Sequence, residues 1–284
     1  CLFIEVDNRM QTAKNIESDL TLIDRWSKQW IVAFSPQKTK SLTISNKKDS
    51  HLNPKLKFMD SHIEEVNSHK YLGFILTNNL KFNLHIDSVC LKARKRLSAM
   101  LPLKFKIDRR SLETMYFSFV LPVVEYGNIV WGGACDTHYA KIEKLHQDAM
   151  RLITGATSRS NIKRLYEETG WKTVRSRTET AMILMLYKIK NYIAPNYLHE
   201  LLPKDNAENA TYRLRNTNNI RVPFTRCESY RRSFFPTAIR LWNKLDKNVQ
   251  NSPTLSMLRI SLRKGSPDKP LLYYYGKRWS SVHH

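Results

Sequence analysis

Apolar positions along this chain follow two periods, and the change from one to the other divides it. Leu2, Phe3, Ile4 and Val6 form an apolar run that stops at Asp7-Asn8. That is the pattern of a buried strand ending in a turn. Ile16, Leu20, Ile23 and Trp30 then keep helical spacing over 12–30, with Trp26 on the flank and Lys14, Glu17, Asp24 and Lys28 opposite. This predicts an amphipathic helix covering something. After a loop closed by Pro36, residues 41–45 read as a strand, 56–66 as a hairpin turning at Asp60-Ser61, and KYLGFILT (70–77) as a strand with one glycine inside.

From His85 onward the period becomes helical. Ile86, Val89, Ala93, Leu97 and Met100 share one face, and further helical patterns cover about 110–121, 137–154, 161–168, 174–193, 230–245 and 254–263. Gly155 and Gly170 stand where helices should end, and Pro195 closes the next one. The expected fold class is therefore α+β: short antiparallel strands with a covering helix, then a mostly α-helical remainder. The boundary is expected near 78–84. Residues 204–222 lose any period and read as an Asn- and Arg-containing loop, and a poorly ordered tail is expected after Gly265.

Charge sharpens this picture. Forty-seven Lys+Arg against 25 Asp+Glu leave a formal charge of +22 on 284 residues, which points to a polyanionic partner, nucleic acid before membrane. Between Lys92 and Arg110 stand Lys92, Arg94, Lys95, Arg96, Lys104, Lys106, Arg109 and Arg110, with Asp108 as the lone acid. On an amphipathic helix such a cluster reads as a basic stripe able to track a phosphate backbone, against the plainer reading of a solvated face. A second group, Arg213, Arg215, Arg221, Arg226, Arg231 and Arg232, surrounds Tyr212, Phe224 and Tyr230. Arginine interleaved with aromatics suits single-stranded or structured RNA, and suits a flexible loop almost as well.

Other chemistries find no support. Cys1, Cys90, Cys135 and Cys227 are too scattered for a zinc knuckle or disulfide framework, and point to a reducing compartment. The histidines show no ligand spacing; His69 and His85 read as strand-end and helix-start residues. Glu64-Glu65 and Glu167-Glu168 are sequence neighbours that do not face each other, so they read as solvated. There is no HExxH, GxSxG or glycine-rich phosphate loop. Trp26, Trp30, Trp131, Trp171 and Trp242 read as packing residues. Residues 115–131, broken by Pro122 and Glu125, are too short to span a bilayer, and no signal peptide is visible. An intracellular protein, nuclear or cytoplasmic, is expected.

Nine blocks, in order, resemble a known family. They are WSKQWIVAFSPQKTKSLTIS (26–45), HKYLGFILTNNLKFNLHID (69–87), KARKRLSAM (92–100), DRRSLETMYFSFVLPVVEYGNIVW (108–131), LHQDAMRLITGA (145–156), LYEETGW (165–171), PNYLHELLP (195–203), YRLRN (212–216) and YRRSFFPTAIRLWNKL (230–245). Together they resemble the C-terminal half of the reverse transcriptase of non-LTR (LINE-type, jockey-like) retrotransposons. The resemblance implies part of a polymerase palm over 1–80, thumb-like helices over 81–135 and a helical extension over 136–284. In that family a Tyr-Ala-Asp-Asp turn holds two Mg²⁺ ions, and the resemblance implies that this turn would stand just before Cys1.

By the same resemblance, FSPQKTK makes Lys38 the candidate lysine near the incoming nucleotide's phosphates, with Ser35 where the family has Asn. Tyr71, Leu72, Gly73 and Phe74 match the primer grip, where an absent side chain lets a nucleic-acid backbone approach; a β-bulge glycine is the plainer reading. Lys92, Arg94, Lys95 and Arg96 match the thumb helix and become candidate contacts to template–primer. Arg109, Arg110, Arg213 and Arg215 are added from charge. The expected function is a fragment of an RNA-directed DNA polymerase that binds RNA and RNA/DNA template–primer without its own metal-binding aspartates. A non-catalytic nucleic-acid-binding module from a decayed element is the alternative.

Overall fold

The computed structural model describes residues 1–6, 8–45, 53–59, 61–203 and 219–264. The chain forms two compact units, Cys1–His85 and Ile86–His284. It is α+β: a small mixed β region comes first and an extensive helical region follows.

In the first unit, the helix α1 (Arg9–Gln29) starts at Asn8, whose Oδ1 accepts from the backbone N–H of Met10 at 3.0 Å and of Gln11 at 3.2 Å. Asn8 is thus an N-cap rather than a turn residue. The apolar run before it is no strand: residues 1–6 are unpaired and Phe3 is 87% exposed. A strand is stable only with a neighbour to complete its hydrogen bonds, and no described segment lies alongside to supply one.

Among the described residues six short strands follow: β1 (Lys40–Ser41), β2 (Lys57–Phe58), β3 (Ser61–His62), β4 (Glu64–Glu65), β5 (Ser68–Tyr71) and β6 (Phe74–Thr77). The expected strand over 41–45 is only the pair Lys40–Ser41, and it runs parallel to β4. The β2–β3 and β5–β6 pairs are antiparallel, so the strands are not all antiparallel as expected. Leu20 of α1 packs with Phe58 and Ile63 in a small core, joined by Ile16, Ile23, Leu56 and Met59. Trp26 and Trp30 are 49% and 64% exposed, which corrects their expected packing role.

The second half of the chain is helical. α2 (Asn83–Met100) buries Ile86, Val89, Ala93, Leu97 and Met100, the face that the spacing predicts. α3 (Arg109–Met115) runs through a π turn, Tyr116–Val120, into α4 (Leu121–Glu125). Pro122 lacks an N–H and cannot complete an ordinary α ladder there; a wider turn just before it accommodates that loss. Then come α5 (Asn128–Trp131), α6 (Asp136–Thr154), α7 (Ile162–Thr169), α8 (Val174–Lys190) and α9 (Asn196–Glu200). The described part closes with α10 (Glu228–Arg231), α11 (Phe234–Asn243), α12 (Lys247–Gln250) and α13 (Leu255–Lys264). Gly155 and Gly170 end α6 and α7 in left-handed conformation, as their spacing suggests. Pro195 does not close α8; Asn191 does, and Pro195 caps α9 instead.

One core joins α8, α11 and α13 through Met182, Leu186, Tyr187, Ile239, Trp242 and Leu258. A second region centres on the π turn. The Tyr116 ring stacks on Trp171 with centroids 4.7 Å apart, and its hydroxyl lies 2.6 Å from His146 Nδ1. His146 Nε2 lies 3.0 Å from the carbonyl of Lys172, which can only accept. Nε2 therefore carries the proton and Nδ1 accepts from Tyr116. Burial, with Arg177 nearby, pushes the His146 pKa down to about 3, so it is neutral.

A group whose folded pKa is depressed this way favours the folded state above its unfolded value of about 6.5 and loses that contribution as pH falls. Denaturant midpoints should therefore decline as pH drops below about 6.5 toward 3. The decline should be shallower in His146→Gln. The difference between the two profiles isolates His146 from Glu143 and Glu179, whose carboxyls burial raises and which act in the opposite sense.

Candidate nucleic-acid interface

KYLGF is a hairpin tip rather than a strand with an internal bulge. β5 and β6 pair in the register Ser68↔Thr77 to Tyr71↔Phe74, leaving Leu72 and Gly73 as a two-residue turn. Both turn residues have positive φ, 46° at Leu72 and 87° at Gly73. Such tight turns match the right-handed twist of the strands they join, which is why they demand this conformation. Glycine adopts it freely, whereas leucine is strained. The result projects Leu72, 69% exposed, and Tyr71, 40% exposed, at the tip. Just after the turn, the backbone N–H of Ile75 donates to His85 Nδ1 at 3.4 Å, and the Phe74 ring lies 5.3 Å from the His85 ring.

Lys38 ends a short 3₁₀ turn, Pro36–Lys38, with its side chain exposed. The turn is closed by backbone bonds from Lys38 to Ser35 and from Thr39 to Pro36, both 3.1 Å. The Thr39 hydroxyl adds a bond to the Ser35 carbonyl at 3.1 Å. Its neighbour Lys40 is bound to Glu64 instead.

The basic residues of α2 do not make one stripe. At about 100° per residue, the three- and four-residue spacings put Lys92, Lys95 and Arg96 on one side of the helix and Arg94 on another. Lys92 and Lys95 point outward and are exposed. Arg96 lies on one flank, where its guanidinium donates to the Phe119 carbonyl and stands 4.6 Å over the Phe119 ring. Arg94 lies on the other flank with Leu97, Ser98 and Leu101.

Arg109 is tied to Glu113 at 3.3 Å and Glu168 at 2.7 Å, whereas Arg110 is exposed without an ion-pair partner among the described residues. Arg213 and Arg215 lie outside the described residues. Of the second arginine group, Arg231 and Arg232 both grip Glu228, at 2.5 and 2.6 Å. Those guanidinium groups hold the Glu228 carboxyl down at about 2. Glu64, Glu65, Glu167 and Glu168 are all exposed, as expected of a solvated face. Among the described residues no cluster of His, Cys, Asp or Glu could hold a metal ion, and no helix is long and apolar enough to cross a membrane.

About half of the chain is similar to polymerases of mobile elements. It is 29% identical over 147 residues to the probable RNA-directed DNA polymerase from transposon BS of Drosophila melanogaster, covering 51% of this chain. It is 26% identical over 150 residues to the RNA-directed DNA polymerase from mobile element jockey of the same species, covering 52%. To the jockey polymerase of Drosophila funebris it is 30% identical over 145 residues, covering 50%. The chain spans only 16% of the length of each of these curated relatives. No family model matches the chain, and no solved structure matches it. Over that half of its length the chain is distantly related to RNA-directed DNA polymerases of mobile elements.

The strained turn makes a direct stability prediction. Leu72→Asn, which tolerates the left-handed conformation, should stabilise the hairpin by about 1 kcal/mol. Gly73→Ala should destabilise it by about 1 kcal/mol. Hydrogen-exchange protection of the β5–β6 amides is the measurement, and it should rise in the first variant and fall in the second.

Proposed function

We propose that this chain is the template–primer-binding part of an RNA-directed DNA polymerase from a non-LTR, LINE-type and jockey-like retrotransposon. The observation that carries this reading is its distant homology to such polymerases, in a chain with a formal charge of +22. In this reading residues 1–80 are palm, 81–135 thumb and 136–284 a helical extension. The exposed tip formed by Tyr71, Leu72, Gly73 and Phe74 presses on the primer end. The outward Lys92 and Lys95, with Arg94 and Arg110, hold phosphates of RNA or an RNA/DNA hybrid, in the nucleus or cytoplasm. Lys38 lies near the phosphates of an incoming nucleotide. Mg²⁺ belongs to the aspartates of the whole polymerase, and among the described residues no carboxylates gather to bind it.

Binding of a labelled RNA/DNA hybrid should be tight at low salt and weaken with a steep log–log slope as salt rises. Replacing Lys92 and Lys95 together by Gln should lower that slope by about 1.5. A wild-type chain that ignores the hybrid at ~50 mM salt would sink the reading.

The alternative, a non-catalytic nucleic-acid-binding module, uses the same surface. Both readings expect the 284-residue chain to extend no primer, because its sequence holds no Tyr-Ala-Asp-Asp. Robust Mg²⁺-dependent extension by the purified chain would contradict both.

A further inference from the structure

Between α2, the turn after it and α6 runs a groove of about 380 Å³ that the sequence pattern does not reveal. Its polar lining is Arg94 and Ser98 from α2, Lys104 from the turn, and Asp148 and Arg151 from α6, over a floor that includes Leu97 and Leu152. Three cations face one carboxylate. That carboxylate is already engaged, since Arg151 Nη1 donates to Asp148 Oδ1 at 2.9 Å. Among the described residues no carboxylate pairs with Arg94 or Lys104.

Arg151 is the unusual member. Its side chain is only 19% exposed, and its buried Nε–H has no hydrogen-bond partner. A guanidinium that is largely desolvated and incompletely paired is costly, and a bound anion is what would compensate it. We propose that this groove seats a backbone phosphodiester of a bound nucleic acid, clamped by Arg94, Lys104 and Arg151, with the Ser98 hydroxyl as a further donor. Guanidinium forks match the two free oxygens of a phosphodiester, and the aliphatic floor receives the edge of the adjoining sugar. Asp148 positions Arg151 and repels the anion, so it limits the affinity of the site. The inference rests on the nucleic-acid-binding reading above and adds to it a specific phosphate seat on the flank of α2 opposite Arg96.

The test uses the full chain and a fluorescent 12-nucleotide single-stranded RNA, titrated from ~50 to ~200 mM salt. Arg94→Gln and Lys104→Gln should each weaken binding ~5–20-fold and lower the log–log salt slope by ~0.7. Asp148→Asn should tighten binding several-fold, a gain that loss of structure would not produce. Arg151→Lys keeps the charge but loses the fork, and should weaken binding while preserving the slope. Lys163→Gln with Arg164→Gln, on the exposed face of α7, removes two charges away from the groove and should cost less than either groove variant. Unchanged melting temperatures verify that Arg94→Gln and Lys104→Gln fold. If wild type binds but those two variants match the α7 control, the groove is overturned while the general reading stands. If wild type binds neither this RNA nor the labelled RNA/DNA hybrid, both fall; if it binds the hybrid alone, the same variants are scored on the hybrid. If inorganic phosphate binds the groove but RNA affinity is indifferent to the variants, the phosphodiester assignment is overturned.

Discussion

The helical region depends on one buried polar contact, the chain of hydrogen bonds from the Tyr116 hydroxyl through His146 to the carbonyl of Lys172. It joins the π turn, α6 and the segment leading into α8, and it has a single allowed proton arrangement. A buried imidazole with both nitrogens satisfied leaves little freedom for the helix that carries it. With the buried face of Tyr139, Ile142, Leu145, Ala149, Met150 and Ile153, an inward His146 sets the rotation of α6 about its axis. Asp148 and Arg151, two and five residues further on, are thereby turned toward α2. Nearby, Glu143 of the same helix accepts from the Tyr166 hydroxyl and from the Val174 N–H at 3.1 Å, which ties α7 and the start of α8 to α6.

Charge is distributed unevenly within the surplus of +22. Several arginines are committed to structure: Arg177 to Glu125, Arg175 to Asp136, Arg109 to Glu113 and Glu168, and Arg231 with Arg232 to Glu228. The exposed pairs among these contribute little stability each, yet every pair withdraws a cation from contact with a polyanion. The cations left over on α2 and the turn after it are therefore more informative than the total. A high net charge repels itself in the compact state, and a phosphate-rich partner would relieve that repulsion.

The hairpin shows the same economy in backbone terms. A leucine held at positive φ costs stability, and the chain retains it at an exposed tip where burial gives nothing back. Strain at such a position is the usual mark of a residue kept for contact rather than for packing, and the proposed primer contact gives it a purpose.

Much of the fold is legible along the chain. The helical period from His85 onward, the buried face Ile86–Met100 and the glycine caps at Gly155 and Gly170 all follow from local rules, because helix periodicity and capping act within a few residues. The first unit is less legible. Its strands are two to four residues long, so period-two patterning has almost nothing to act on, and the apolar run Leu2–Val6 looks like a strand without a partner to make it one. The turn at Leu72-Gly73 escaped because leucine does not advertise positive φ. Around α2, listing basic residues in order suggested one stripe, from which helix geometry sets Arg94 apart and the contact with Phe119 withdraws Arg96.

By itself the sequence determined the fold class, the helix positions, the basic character and the resemblance to retrotransposon polymerases, since each depends on local pattern or composition. Only the tertiary structure decided which cations are free and which are spent, and that Arg94, Lys104 and Arg151 meet across one groove. Arg94 and Arg151 stand 57 positions apart, and nothing local in the chain relates them. What brings them together is the packing of α6 on its neighbours, a consequence of side chains buried far from either arginine.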